Sequence, residues 1–154
     1  MDKKEKYELL VKQIRALIEG ETDKVAVMST VASEIHNTMG FWWTGFYRVQ
    51  KGQVHEYELI VGPFQGPTAC LHIPYGRGVC GTAWERGETI VVPNVEEFPG
   101  HIACSSESRS EIVVPVFSND TDRRVVAVLD IDSRQLATFD EIDRFFLERI
   151  CEMI

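Results

Sequence analysis

The sequence is organised around residues 70–110, which read CLHIPYGRGVCGTAWERGETIVVPNVEEFPGHIACSSESRS. They contain three of the four cysteines (Cys70, Cys80 and Cys104) and two of the four histidines (His72 and His101). Glycine, proline and serine separate short apolar segments here, which predicts short strands, one short helix and long loops. Loops that carry cysteine, histidine and serine between apolar strands are where a fold usually places its chemistry. The stretch therefore predicts a thiol redox site.

The segments on either side predict a sheet bracketed by helices. Apolar side chains recur at helical spacing in residues 3–19 and 23–38. Strands are predicted where β-branched and aromatic residues lie between turn residues, at 41–49, 54–61, 70–73, 88–92, 111–117 and 123–132. Residues 62–70 contain two prolines and two glycines and predict a loop.

The end of the chain predicts a closing helix. Thr138 and Glu141 have the spacing of a capping box, in which each side chain satisfies a backbone N–H of the first turn. Together the elements predict one α+β domain over residues 1–154. Its central sheet is mostly antiparallel, with the N- and C-terminal helices on one face and the active-site loops on the other.

Charge and hydropathy exclude several classes of partner. The net charge of −8 and the lack of a basic cluster argue against nucleic acid. No apolar run approaches the length of a membrane span, so no membrane association is expected. The charged N-terminal segment lacks the features of a signal peptide, which favours a cytoplasmic location. Disulfides are rare there, so the cysteines indicate catalysis, metal binding or core packing.

Gly76, Gly78 and Gly81 match the G-x-G-x-x-G pattern of dinucleotide-binding loops. That fingerprint requires a preceding strand and a long following helix, in a chain that alternates strands and helices. Gly87 ends the following helix early, and this chain does not alternate in that way. The glycines are better explained by a tight turn beside the sheet, and we expect no bound cofactor.

A zinc site is a minority interpretation of the same stretch. Ligand types that zinc accepts are present at Cys70, His72, Cys80, His101 and Cys104. Structural zinc sites usually contain paired ligands at C-x₂₋₄-C spacing, which is absent, so we expect no metal. Cys151, alone in the last helix, is interpreted as a buried apolar residue.

Cys104 is the strongest candidate for a reactive thiol, because it lies in a polar loop three residues after His101. Three carboxylates are expected near it. Glu111 opens the next strand, and Asp130 and Asp132 end the strand after that, on one face because side chains alternate. Carboxylates at strand ends commonly only cap turns, but three that converge near one thiol suggest substrate binding and proton donation.

Aromatic residues dominate the first strand, and most of their rings are expected in the core. Trp43 and Tyr47 are an even number of residues apart, so they should share one face of the sheet. With Phe41 and Gly45 they are predicted to form one wall of a pocket.

Several motifs together resemble the free methionine-(R)-sulfoxide reductases, which are built on a GAF-type domain. These motifs are FWWTGFY, VGPFQGPTAC, GRGVCGTA, FPGHIAC, SRSEIVVPV and VLDIDS. The resemblance extends by motif from Phe41 to Phe139, and a generic GAF domain would share the layout without the three cysteines. It implies a GAF-like fold for the whole chain.

The resemblance also implies a role for each cysteine of the central stretch. Cys104 matches the nucleophile that attacks the sulfoxide sulfur and becomes a sulfenic acid. Cys70 matches the resolving cysteine that forms a Cys70–Cys104 disulfide, and Cys80 matches a third cysteine with an auxiliary role. Reduction by thioredoxin and assembly into homodimers are typical of the family.

The remaining candidates match substrate-binding residues of that family. Glu111, Asp130 and Asp132 match acids that hold the free amino acid and assist protonation. Trp43 and Tyr47 match aromatic residues around the substrate's methyl group. The implied activity is the reduction of free L-methionine-(R)-sulfoxide to methionine.

A second function remains open from the residues themselves. A non-catalytic GAF-type domain could bind a small ligand, or sense oxidant by forming a disulfide between the same cysteines. The acid trio and the aromatic pair favour the enzyme, because a pure thiol sensor requires neither.

Overall fold

Aspartate caps start both N-terminal helices in the computed structural model, which describes all 154 residues. Asp2 accepts a hydrogen bond from the backbone N–H of Glu5 at 2.8 Å, and Asp23 caps the next helix in the same way. The helices are α1 (Lys3–Ile18), α2 (Lys24–Met39), α3 (Gly78–Arg86) and α4 (Glu141–Cys151). The strands are β1 (Trp43–Lys51), β2 (Tyr57–Gln65), β3 (His72–Pro74), β4 (Ile90–Val92), β5 (Ser110–Phe117) and β6 (Val125–Ser133). None of these helices has the length and apolar character that crossing a bilayer requires.

The six strands form one sheet in the order β3-β2-β1-β6-β5-β4. All neighbouring strands are antiparallel, which confirms the predicted sheet. The long strands β1 and β6 are central, and the three-residue strands β3 and β4 form the two edges. Because side chains alternate along a strand, each central strand contributes residues to both faces of the sheet.

Two apolar cores lie on the two faces of the sheet. The first lies between the sheet and α1, α2 and α4, and its fully buried members include Tyr7, Ile35, Phe46, Leu129 and Leu147. The second lies under α3 and the neighbouring loops, and includes Trp43, Tyr47, Cys80, Val113 and Val128. The predicted arrangement, with terminal helices on one face and site loops on the other, is confirmed.

The second strand begins later and ends later than the sequence predicted. Residues 62–65 belong to β2 rather than to a loop, although they include Pro63. The pairing moves three residues along β2, from Val61 to Phe64, while it moves two along β1, from Tyr47 to Gly45. Such a bulge tolerates proline, whose missing N–H interrupts a regular ladder. The bulge brings Phe64 beside β1.

The predicted capping box of the last helix was wrong by two residues. The N-cap is Asp140, whose carboxylate accepts hydrogen bonds from the N–H groups of Ile142 and Asp143. Asp143 in turn accepts from the N–H of Asp140 at 2.8 Å. An aspartate serves both positions because its short carboxylate reaches the free N–H groups of a first turn.

Asp143 also joins the first and last helices. It is fully buried, and its carboxylate accepts hydrogen bonds from the Tyr7 hydroxyl at 2.6 Å and from Lys3 Nζ at 2.7 Å. Breaking such a buried pair leaves an uncompensated partner in the core.

We therefore expect Asp143→Ala to lower the free energy of unfolding by about 3 kcal/mol in urea titrations. Asp120→Ala is the matched control, because its ion pair with Arg124 is exposed and is worth at most about 1 kcal/mol. Equal losses in the two variants would contradict the role of Asp143 as a buried link.

Candidate active site

A small cavity lies on the face of the sheet opposite the terminal helices. Its volume is about 50 Å³, room for roughly three to five water molecules. Most residues predicted at the site line it, namely Trp43, Tyr47, Cys80, Cys104, Glu111, Asp130 and Asp132. Cys70 does not line the cavity, but it is covalently bonded to Cys104, which does.

A disulfide joins Cys70 and Cys104, whose Cα atoms are 5.3 Å apart. Cys70 lies in the loop between β2 and β3, and Cys104 lies in the long connection between β4 and β5. Cys104 is exposed and Cys70 is half-buried, so the bridge is located where the cavity meets solvent. This is the pairing that the family resemblance implied, and such a pair can cycle between dithiol and disulfide.

The other two cysteines are free and buried. Burial raises the pKa of the Cys80 thiol well above its ordinary value, and the nearby charge of Asp130 raises it further. Cys80 therefore keeps its proton and is a poor nucleophile in this state. Cys151 belongs to the core on the helical face of the sheet, where the sequence predicted a packing role.

Three carboxyl groups converge because two neighbouring strands present them on the same face. Glu111 on β5 pairs directly with Asp132 on β6. Asp130 lies two residues before Asp132 on the same face, as strand alternation predicted. Glu111 and Asp130 are only 6% and 5% exposed.

Burial and mutual repulsion raise the pKa values of all three carboxyl groups. Burial raises the pKa of Glu111 and of Asp132 well above the ordinary values, and the negative charge of Asp130 adds to the rise. Burial also raises the pKa of Asp130, but the protons of Glu111 and Asp132 favour its ionised form. The three carboxyl groups therefore titrate as one coupled cluster, which holds protons at a pH where ordinary carboxyl groups are ionised.

One oxygen of Asp130 has no backbone or basic partner. Its Oδ1 atom is buried and receives no hydrogen bond from a backbone N–H or a basic side chain, so it is available to a water molecule, an ion or a ligand. Ligand atoms of Cys80, Glu111 and Asp130 lie within 4.8 Å of one another, so this cluster could hold a cation.

Of the zinc ligands considered from the sequence, Cys80, His101 and Cys104 line the cavity, but they form no common cluster of ligand atoms. Cys70 and Cys104 are bonded to each other in the disulfide, so neither is free to bind a metal. His72 lies on the edge strand β3, where its Nδ1 is 2.9 Å from Oε2 of Glu58.

The aromatic pair forms one wall of the cavity. The ring centroids of Trp43 and Tyr47 are 6.0 Å apart, and Phe64 stacks on Trp43 at 5.3 Å. The prediction that Phe41 belongs to this wall was wrong, because its ring packs against Phe139 in the core of the helical face. Phe41 precedes the first residue of β1, so the alternation of that strand does not set its direction.

Ser108 and Phe64 contact predicted site residues but were not themselves predicted. Ser108 donates a hydrogen bond from Oγ to Oδ1 of Asp132 at 3.1 Å, which connects the Cys104 loop to the acid cluster. Its position, three residues before Glu111, was the feature of the sequence that could have identified it. Phe64 was missed because the Gly62-Pro63 pair predicted a loop instead of a bulged strand.

Comparison with known proteins places this geometry in a family. Residues 23–154 match the GAF domain family. The chain is 41% identical over 159 residues to the free methionine-R-sulfoxide reductase of Saccharomyces cerevisiae, covering 100% of this chain and 86% of the yeast protein. The chain belongs to the free methionine-R-sulfoxide reductase family.

Two other free methionine-R-sulfoxide reductases are also similar to this chain over nearly its full length. The Escherichia coli protein is 37% identical over 151 residues, covering 97% of this chain and 87% of that protein. The X-ray structure of the Neisseria meningitidis enzyme in complex with its substrate has a TM-score of 0.92 at 46% identity, covering 99% of this chain and 88% of that one. The family resemblance, the GAF fold and the enzyme class, an oxidoreductase, are confirmed.

Proposed function

We propose that this protein reduces free L-methionine-(R)-sulfoxide to methionine, with Cys104 as the nucleophile and Cys70 as the resolving cysteine. The observation that carries the proposal is the Cys70–Cys104 disulfide beside a cavity that contains buried carboxyl groups. A redox-active pair at the entrance and an acidic interior suit the reduction of a small zwitterion. Membership of the family supports the same substrate class.

The first step is attack by the Cys104 thiolate on the sulfoxide sulfur. The oxygen takes a proton and is transferred to the cysteine, so methionine leaves and Cys104 becomes a sulfenic acid. The sulfoxide sulfur gains two electrons, and the Cys104 sulfur loses two. The Cys70 thiol then attacks the sulfenic sulfur, the S–O bond breaks, water leaves and the disulfide forms.

The acid cluster supplies the proton and the ammonium site. Glu111 is the proposed proton donor, because its raised pKa keeps the carboxyl group protonated where an ordinary glutamate would be ionised. Asp130 offers the ammonium a buried carboxyl oxygen, Oδ1, that receives no hydrogen bond from a backbone or basic group. Asp132, held by Ser108, completes the ammonium site.

The remaining groups of the substrate have partners as well. Trp43 and Tyr47 wall the space for the methyl group, and backbone N–H groups of the glycine-rich or cysteine loop suit the carboxylate. The disulfide is the product of the resolving step, so the structure corresponds to the state of the enzyme after turnover.

A thioredoxin-type dithiol is the proposed reductant of the disulfide. The exposed position of Cys104 allows a protein thiol to approach, and the steps above use no bound cofactor. Cys80 is proposed as an auxiliary thiol. We also propose that residues 1–154 act as one domain and as a homodimer, as the family resemblance implies, and that the protein is located in the cytoplasm.

With thioredoxin, thioredoxin reductase and NADPH, we expect consumption of free methionine-(R)-sulfoxide and none of the S epimer. Chiral chromatography of the residual sulfoxide provides the measurement. N-acetylmethionine sulfoxide is the matched control, because it lacks the ammonium that the acid cluster binds. Equal consumption of both epimers would contradict the stereochemical assignment.

The alternative is a GAF domain that only senses oxidant, and the observed disulfide is also what such a sensor would form. Such a protein would form the disulfide with peroxide but would not turn over methionine sulfoxide. The same coupled assay therefore separates the two functions.

A further inference from the structure

The loop that carries Cys70 is fastened to β1 by two aromatic side chains. Nε1 of Trp43 donates a hydrogen bond to the carbonyl of Pro67 at 2.8 Å. The hydroxyl of Tyr47 donates to the carbonyl of Cys70 itself at 3.0 Å. These two hydrogen bonds attach both ends of residues 67–70 to side chains on one face of β1.

Close packing reinforces this attachment at Gly66. Its φ angle is +123°, and a Cβ atom there would lie 2.8 Å from Cδ1 of Trp43 and 2.9 Å from the carbonyl oxygen of Trp42. Only glycine permits both this conformation and this approach. The Cys70 loop is therefore packed against β1 as well as hydrogen-bonded to it.

The Cys104 loop is held less firmly around the cysteine itself, although Ser108, four residues later, is bonded to Asp132. Ala103 and Cys104 are exposed. The N–H of Cys104 bonds to the carbonyl of Ile102 at 3.2 Å, and the N–H of Glu107 bonds to Oγ of Ser105 at 3.2 Å, both within the loop itself. This asymmetry indicates that Cys70 stays in place while Cys104 moves between the substrate and the disulfide.

We propose that Tyr47 is a positioning residue for the resolving step, because its hydroxyl fixes the main chain of Cys70 where the sulfenic acid of Cys104 must arrive. In that step the Cys70 thiol gives up its proton, the S–S bond forms, the S–O bond breaks and water leaves. The inference rests on the proposed function. It gives Tyr47 a second role, in the resolving step, in addition to its place in the wall around the substrate's methyl group. Burial raises the pKa of this hydroxyl, so the donor keeps its proton.

Tyr47→Phe keeps the ring and removes only the hydroxyl. In single turnovers, we expect the ratio of disulfide formation to methionine release to fall about tenfold, equivalent to about 1.4 kcal/mol. A sulfenic-acid trap should capture correspondingly more Cys104 adduct by mass spectrometry. Tyr7→Phe is the matched control, because it also removes a buried hydroxyl, bonded to Asp143 on the helical face. It should keep the wild-type ratio even where its melting temperature falls.

A second measurement needs no sulfoxide and so separates failure of this inference from failure of the proposed function. Titration of the disulfide against glutathione gives the effective concentration of the Cys70 thiol toward Cys104. It should fall about tenfold in Tyr47→Phe, and it should also fall in Gly66→Ala, which pushes the loop away from β1. Wild-type values in Tyr47→Phe, or an equal fall in Tyr7→Phe, would overturn the proposal.

Discussion

Replacing Cys104 by serine should abolish methionine sulfoxide reduction even within a single turnover. A serine hydroxyl is a far weaker nucleophile than a thiolate, and loss of a covalent nucleophile commonly lowers kcat by roughly 10³-fold or more. Cys80 cannot replace Cys104 as the nucleophile, because Cys80 is buried and its raised pKa keeps it a thiol. The methionine formed per equivalent of pre-reduced enzyme, measured by mass spectrometry, provides the test.

Cys70→Ser should behave differently from Cys104→Ser. It should release one equivalent of methionine and then stall, either as a Cys104 sulfenic acid or as a disulfide with Cys80. Cys151→Ser is the matched control, because that cysteine lies in the core of the opposite face, and its turnover should equal wild type. An active Cys104→Ser enzyme would mean that the nucleophile is misassigned.

Glu111→Gln should lower kcat by about 10²–10⁴-fold, the usual effect of losing a general acid. The amide is similar in shape but has no transferable proton. Asp130→Asn should act mainly on KM, because it removes the charged acceptor for the ammonium. Loss of a charge-assisted hydrogen bond worth roughly 1.5–3 kcal/mol corresponds to about one to two decades in kcat/KM.

The pH dependence of kcat gives an independent test of Glu111. Its pKa in the folded protein is raised by burial, so the proton-donating form persists above the ordinary pKa of a glutamate. Activity should therefore fall as the pH rises through the raised value, and Glu111→Gln should lose that dependence. Glu58→Gln is the control, since Glu58 is a buried glutamate away from the cavity. If Glu111→Gln and Glu58→Gln had the same kcat and the same pH dependence, proton donation by Glu111 would be refuted.

The acid cluster is the part of the site that sequence reasoning predicted most directly. Strand alternation alone places Asp130 and Asp132 on one face. The pairing of Glu111 with Asp132 then follows once β5 and β6 are recognised as antiparallel neighbours. The ionisation of the cluster could not be predicted, because it depends on burial that only the packed structure defines.

Features that depend on tertiary contacts were missed for physical reasons. The bulge at Pro63 makes a sequence typical of a loop behave as a strand, and this hid Phe64. Asp140 rather than Thr138 caps α4, because several residues in that segment have capping side chains and tertiary packing selects among them. The bond from Tyr47 to the Cys70 carbonyl joins residues 23 apart in sequence, and no local pattern encodes it.

The two edges of the sheet restrict how copies of this chain can associate. β3 and β4 are each three residues long, so little unpaired backbone is available at either edge. Very short edge strands are a device by which sheet proteins avoid aggregation through strand addition. A continuous intermolecular sheet is therefore disfavoured, and a second copy has to be recognised through side chains on the helices or loops.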